Sequence, residues 1–148
     1  MKKYWILGVV PLVGVGLWWY GTLPTGSVMA ETNGLHAHPI VEIYVSGERI
    51  EIPTEIGVGP QYADLPKYGM GGMAMTPIHT HKDVPIIHLE FSGPVSDEDI
   101  ELRRFFEVWG RDIGSFGALS LMEVNGEVST TYGSHVMRDG DIIKLFYE

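Results

Sequence analysis

Cysteine is absent from the chain, which excludes disulfides, thiolate metal sites, cysteine nucleophiles and lipidated cysteines. Positive charge is scarce too: ten lysines and arginines stand against nineteen acids. With Lys2 and Lys3 set aside, eight basic residues face those nineteen acids, a formal charge of −11 on all that follows. Such a surface repels phosphate backbones and anionic headgroups, which argues against nucleic acid as a partner and makes cations the natural visitors. No G-x-S-x-G, H-E-x-x-H or Walker-type loop occurs, so the standard hydrolase and phosphate-handling signatures are missing. The acidic run Asp97-Glu98-Asp99-Glu101 lacks calcium-loop spacing, and Gly14 and Gly16 have no βαβ context.

Charge is also missing from Tyr4 to Ala30, directly after Lys2 and Lys3. The first twenty residues of that run reach Leu23, and a twenty-residue helix spans about 30 Å, the hydrocarbon thickness of a bilayer. The basic pair favours a cytoplasmic N-terminus, and Trp18, Trp19 and Tyr20 would sit at the far interface. The expectation is a membrane anchor over residues 1–23, a tether over 24–35 and an extracytoplasmic domain over 36–148. The alternative is a signal peptide cut after Val28-Met29-Ala30, which exports the same domain.

Period-two alternation predicts strands at Val41–Val45 and at Ile50–Ile52, joined by a Ser46-Gly47 turn. Residues 53–77 lose all periodicity to Gly, Pro and Met, implying a long loop. A third strand is expected over Ile86–Phe91, with Ile87, Leu89 and Phe91 on one face and His88 and Glu90 on the other. Ser96 and the acids after it predict a helix start, and Gly110 a left-handed cap at its end. Leu102, Phe105, Phe106 and Trp109 form its apolar stripe. A hairpin follows, with Leu119–Val124 and Glu127–Tyr132 joined by Asn125-Gly126, and a last strand at Ile142–Tyr147. The predicted class is α+β, a mixed sheet with one helix packed on a face.

Five of the six histidines lie between His36 and His88. His79 and His81 are two apart, so on extended backbone both rings point the same way, with Cα atoms roughly 6–7 Å apart. His88, across a turn at Lys82–Pro85, can complete a three-nitrogen set, and Glu90 on the same face can be a ligand or orient an imidazole. His36 and His38, at the junction of tether and domain, form either a flexible metal-catching arm or a solvent-facing strand start. Met70, Met73 and Met75 add soft thioethers in M-x-x-M and M-x-M spacing; they either fill an irregular core edge or bind metal. Imidazole and thioether without thiolate favour copper, with zinc as the alternative. His135 stands alone and is expected to be a loop residue.

Taken in order, His36-Ala37-His38-Pro39, Pro77-Ile78-His79-Thr80-His81, Ile87-His88-Leu89-Glu90, Phe105-Phe106-Glu107-Val108-Trp109-Gly110, Val124-Asn125-Gly126 and Asp139-Gly140-Asp141 resemble a family of small membrane-tethered microbial proteins. The resemblance covers the whole exported domain and names no reaction. Where its pattern has Thr-His-Asp, this chain has Thr80-His81-Lys82-Asp83. The C-terminal portion resembles ubiquitin-like β-grasp proteins, which implies fold alone. Three functions remain open on these grounds: an anchored extracytoplasmic metal-binding protein, a metal-dependent enzyme with an open three-histidine centre, and a tethered interaction module whose histidines are incidental.

Overall fold

The computed structural model describes residues 32–148. The expected anchor and any cleavage site lie outside the described residues. Among the described residues no helix is long and apolar enough to cross a membrane.

The strands are β1 (Thr32–Ala37), β2 (Ile40–Val45), β3 (Glu48–Ile50), β4 (Ile78–His79), β5 (His88–Val95), β6 (Leu119–Val124), β7 (Glu127–Val128) and β8 (Ile142–Tyr147), with one α-helix, α1 (Leu102–Val108). The fold is α+β. The strands form two sheets where a single one was expected: a five-stranded sheet ordered β3-β2-β8-β6-β7 and a three-stranded sheet ordered β1-β5-β4. In the larger sheet β2 and β8 run parallel at the centre, and the other pairs are antiparallel. Because alternate residues face opposite sides of a strand, Val41 and Ile43 on β2 and Ile143 and Leu145 on β8 point into the core and are fully buried. Leu102, Phe105 and Phe106 of α1 pack into that same core together with Leu89 and Phe91 of β5. Burying each such side chain contributes about 1.5–3 kcal/mol before entropy is counted.

Three local departures from expectation have physical causes. The predicted helix is interrupted: Asp97–Ile100 forms a 3-10 turn, Glu101 is extended (φ −67°, ψ 145°), and α1 starts only at Leu102. The segment His135–Met137 captures the backbone on both sides of the break, the Leu102 amide bonding the His135 carbonyl at 2.8 Å and the Met137 amide the Ile100 carbonyl at 3.0 Å. Both flanking apolar residues, Ile100 and Leu102, are thereby buried. At the other end Gly110 (φ 73°) closes α1 as expected; its amide bonds Glu107 and that of Arg111 bonds Phe106, which satisfies carbonyls of the last turn. The strand expected over Glu127–Tyr132 stops at Val128. Beyond it the Ser129 hydroxyl bonds the hydroxyl and amide of Thr131, a local alternative to ladder pairing. Finally, residues 32–35, read from composition as tether, belong to β1 and pair with β5.

Candidate metal centre

The three-stranded sheet assembles the histidines. Its central strand β5 turns Leu89 and Phe91 into the core, so His88 and Glu90 face the opposite side. Register then brings in the neighbours: β4 sets His79 directly opposite His88, and β1 sets His36 directly opposite Glu90. Five imidazoles form a contiguous group. The ring centroids of His79 and His81 are 4.8 Å apart, His79 and His88 5.3 Å, His81 and His88 5.0 Å, His38 and His88 5.0 Å, and His36 and His38 4.6 Å.

His79 is fully buried, and the loop at residues 53–58 holds it in place. The Ile56 amide donates to the Thr80 hydroxyl at 3.0 Å, that hydroxyl donates to the Pro53 carbonyl at 2.9 Å, and the Thr80 amide bonds the Ile56 carbonyl at 3.0 Å. Gly57 makes the close approach possible. Its φ of 77° is left-handed, and a Cβ there would stand 2.6 Å from the Ile78 carbonyl oxygen, 3.1 Å from His79 Cβ and closer still to Thr76 Oγ1.

The ring nitrogens are sorted by their partners. Nδ1 of His79 lies 3.0 Å from the Thr76 carbonyl oxygen, which can only accept, so this nitrogen carries the proton. Burial pushes the His79 pKa below its ordinary value, with the neighbouring His81 and His88 acting the same way and outweighing Thr76 and Glu90. The ring is therefore neutral at pH 7, and Nε2 presents a bare lone pair. That Nε2 is buried and has no hydrogen-bond partner among the described residues, which is rare for a buried polar atom. His88 repeats the arrangement with its nitrogens exchanged: Nε2 faces the Asp83 carboxylate at 3.1–3.2 Å and Nδ1 faces Glu90 Oε1 at 3.9 Å. Slight desolvation pulls the Asp83 pKa upward, but bonds from His88 and from its own backbone hold it below the ordinary carboxylate value.

His79, His88 and Glu90 each offer one ligand atom, and these three atoms lie within 4.8 Å of one another. A tetrahedral ion with bonds of about 2.0–2.1 Å sets its ligands about 3.3 Å apart, so closure onto an ion needs side-chain movements of about an ångström. In both histidines one nitrogen faces an oxygen that can only accept, the Thr76 carbonyl for His79 and the Asp83 carboxylate for His88, an arrangement that orients metal-ligating imidazoles.

The remaining candidates surround this group. His81, with Nδ1 4.0 Å from Glu55 Oε1, touches both His79 and His88. Glu55 itself takes the left-handed φ of 64°, uncommon without glycine. His36 is part of β1 rather than a free arm, and its Nε2 is 3.2 Å from Glu90 Oε1. His38 pairs with Asp139 at 3.6 Å. Met70 and Met73 line a cleft beside Glu90, whereas Met75 is bridged to Val58 and takes no part in that lining. His135 lies elsewhere, bonded at 3.1 Å to Asp141, which also accepts from Asn125 and Arg138 and so pins the turn before β8. Sequence reasoning gives no role at this site to Gly57, Thr76, Glu55 or Asp139. The sequence reading has Asp83 as a possible carboxylate ligand displaced by one residue; the structure sets it five residues before His88, across a turn and facing Nε2. No protein family, curated protein or solved structure matches this chain.

Proposed function

We propose that this chain is a membrane-anchored, extracytoplasmic metal-binding protein whose site is formed by His79, His88 and Glu90 and flanked by His81, His36 and His38. Two observations carry the reading: His79 has a buried, unpartnered Nε2, and one ring nitrogen of His79 lies within 4.8 Å of ligand atoms of His88 and Glu90. Leaving such a nitrogen without a partner costs about 1–3 kcal/mol, and an ion would relieve that penalty.

Copper is the metal of the proposal and zinc its alternative. Nitrogen and carboxylate ligands bind Cu(II) more tightly than the other divalent first-row ions, and no thiolate is available to favour zinc. The negative charge of the domain supports attraction of a cation. The larger sheet, with parallel β2 and β8 at its centre, supports a β-grasp-like reading of the fold.

The test is titration of the full-length chain with Cu(II), Cu(I) and Zn(II), with His79→Ala and His88→Ala alongside. Either substitution is expected to weaken copper binding at least tenfold, about 1.4 kcal/mol. Equal affinity in wild type and variants sinks the assignment, and tighter binding of zinc than of Cu(II) replaces the metal. A second reading, a metal-dependent enzyme, is favoured by the count of three ligands, which leaves coordination positions for water or substrate. Turnover of oxygen or peroxide by the loaded chain, lost in His79→Ala, would select it.

A further inference from the structure

The loop carrying the methionines lies against the same strand that carries Glu90. At Gly71 (φ 79°) an added Cβ would be 3.7 Å from Ser92 Cβ and Oγ, which places the turn on β5 two residues beyond Glu90. The turn is closed by bonds from the Met70 amide to Lys67 at 3.1 Å and from the Gly72 amide to Gly69 at 3.0 Å. Between loop and sheet a cleft of about 240 Å³ opens, lined by Met70, Met73, His36, Glu90, Leu35 and Phe91 among others. Met73 is 44 % exposed. It is therefore not filling the core, the ordinary use of a methionine.

We infer that this cleft is a second metal site, which takes Cu(I) on the thioethers of Met70 and Met73 with the His36 imidazole as third ligand. Thioether sulfur is soft and selects Cu(I) over the harder divalent ions, and imidazole completes the set. Glu90 lines the cleft and also belongs to the group with His79 and His88. A single carboxylate thus stands between the thioethers and the buried imidazole of His79, and an ion received at the surface has a short path inward. The receiving role rests on the reading of His79, His88 and Glu90 as a metal site. The thioether site itself stands on the cleft alone.

Ag(I), a soft monovalent ion without redox chemistry under these conditions, is the first probe, followed by Cu(I) with X-ray absorption at the copper edge. The full-length chain is compared with the Met70→Leu/Met73→Leu double variant, which keeps side-chain volume and removes both sulfurs, and with His79→Ala. The double variant is expected to bind Ag(I) at least tenfold more weakly and to lose copper–sulfur scattering while keeping its Cu(II) affinity. His79→Ala is expected to do the reverse, losing Cu(II) and retaining Ag(I). Met73→Leu alone, at an exposed position, guards against misfolding of the double variant and should itself weaken Ag(I) at least threefold. Unchanged Ag(I) affinity in the methionine variants, or a Cu(I) spectrum without sulfur in the wild type, overturns the inference. Should Cu(II) binding survive His79→Ala while the methionine variants lose Ag(I), the histidine site falls and the thioether site remains.

Discussion

Replacing His79 with leucine separates a structural role for this side chain from a metal-binding one. In the metal-free protein the imidazole makes one bond, from Nδ1 to the Thr76 carbonyl, which contributes about 0.5–1.5 kcal/mol. Its other nitrogen is buried without a partner, at a cost of about 1–3 kcal/mol. Leucine removes both and fills a similar volume, leaving only the Thr76 carbonyl to find another donor. The two effects oppose each other, so the metal-free stability of His79→Leu should stay within about 2 kcal/mol of wild type. The metal-dependent part behaves differently. A free ion at a hundred times its dissociation constant stabilises the wild type by about 2.7 kcal/mol, about 11–22 °C in melting temperature for a domain of roughly 100 residues. The variant should lose most of that shift. Thermal melts followed by circular dichroism, with chelator and then with Cu(II), measure both quantities on the full-length chain. An equal copper-induced shift in wild type and variant refutes the reasoning. So does a metal-free loss above about 4 kcal/mol, a magnitude reached only when a named structural contribution such as a satisfied buried network is broken.

Other perturbations probe the supports of the site. Asp83→Ala removes the oxygen that orients His88 through Nε2 and should weaken copper binding by about 10–100-fold with little change in folding; a calorimetric titration showing full affinity would dismiss that role. Gly57→Ala forces a side chain into a left-handed position against the Ile78 carbonyl and should destabilise the domain by about 2 kcal/mol or more in urea melts; a neutral result would mean that the close packing over His79 is not tight. For Asp99, burial raises the pKa, but the Lys67 ammonium and the Ser96 amide and hydroxyl outweigh it and hold the carboxyl below its ordinary value. A carboxylate depressed in the folded state stabilises fully above the unfolded pKa, about 3.9, and loses that contribution as pH falls through the folded value. Asp99→Asn should therefore lose about 1–2 kcal/mol at pH 7, with the gap to wild type closing below about pH 4. A gap independent of pH would place the stabilisation elsewhere.

Local patterns in the sequence are enough to read part of this molecule. A period-two run locates β2, turn signals locate β6 and β8, the Asn125-Gly126 turn is left-handed at both residues (φ 55° and 84°), and the alternation Ile87-His88-Leu89-Glu90 correctly divides core from open face. The two-residue spacing of His79 and His81 anticipates adjacent rings. What local pattern cannot supply is the second sheet. Strand β4 is two residues long and shows no period, and β1 contains Gly34 and opens within a segment whose composition reads as tether. The pairing of His36 with Glu90 and of His79 with His88 is a matter of long-range register, and nothing in the spacing of either segment states its partner. The helix break at Glu101 is similar, since the segment that captures it lies more than thirty residues away.

Register also explains why one residue more or less matters at some positions and not at others. A slip of one residue along β5 would turn His88 and Glu90 into the core and expose Leu89 and Phe91, so burial of those two apolar side chains and presentation of the two candidate ligands are one event. A change at Leu89 should on that ground lower metal affinity without touching a ligand. The turn between β4 and β5 has no such constraint. Across that turn the Asp83 carboxylate meets His88 Nε2 at 3.1 Å. Asp83 lies outside the group of His79, His88 and Glu90, and because a carboxylate can only accept, it fixes Nε2 as the nitrogen of His88 that donates.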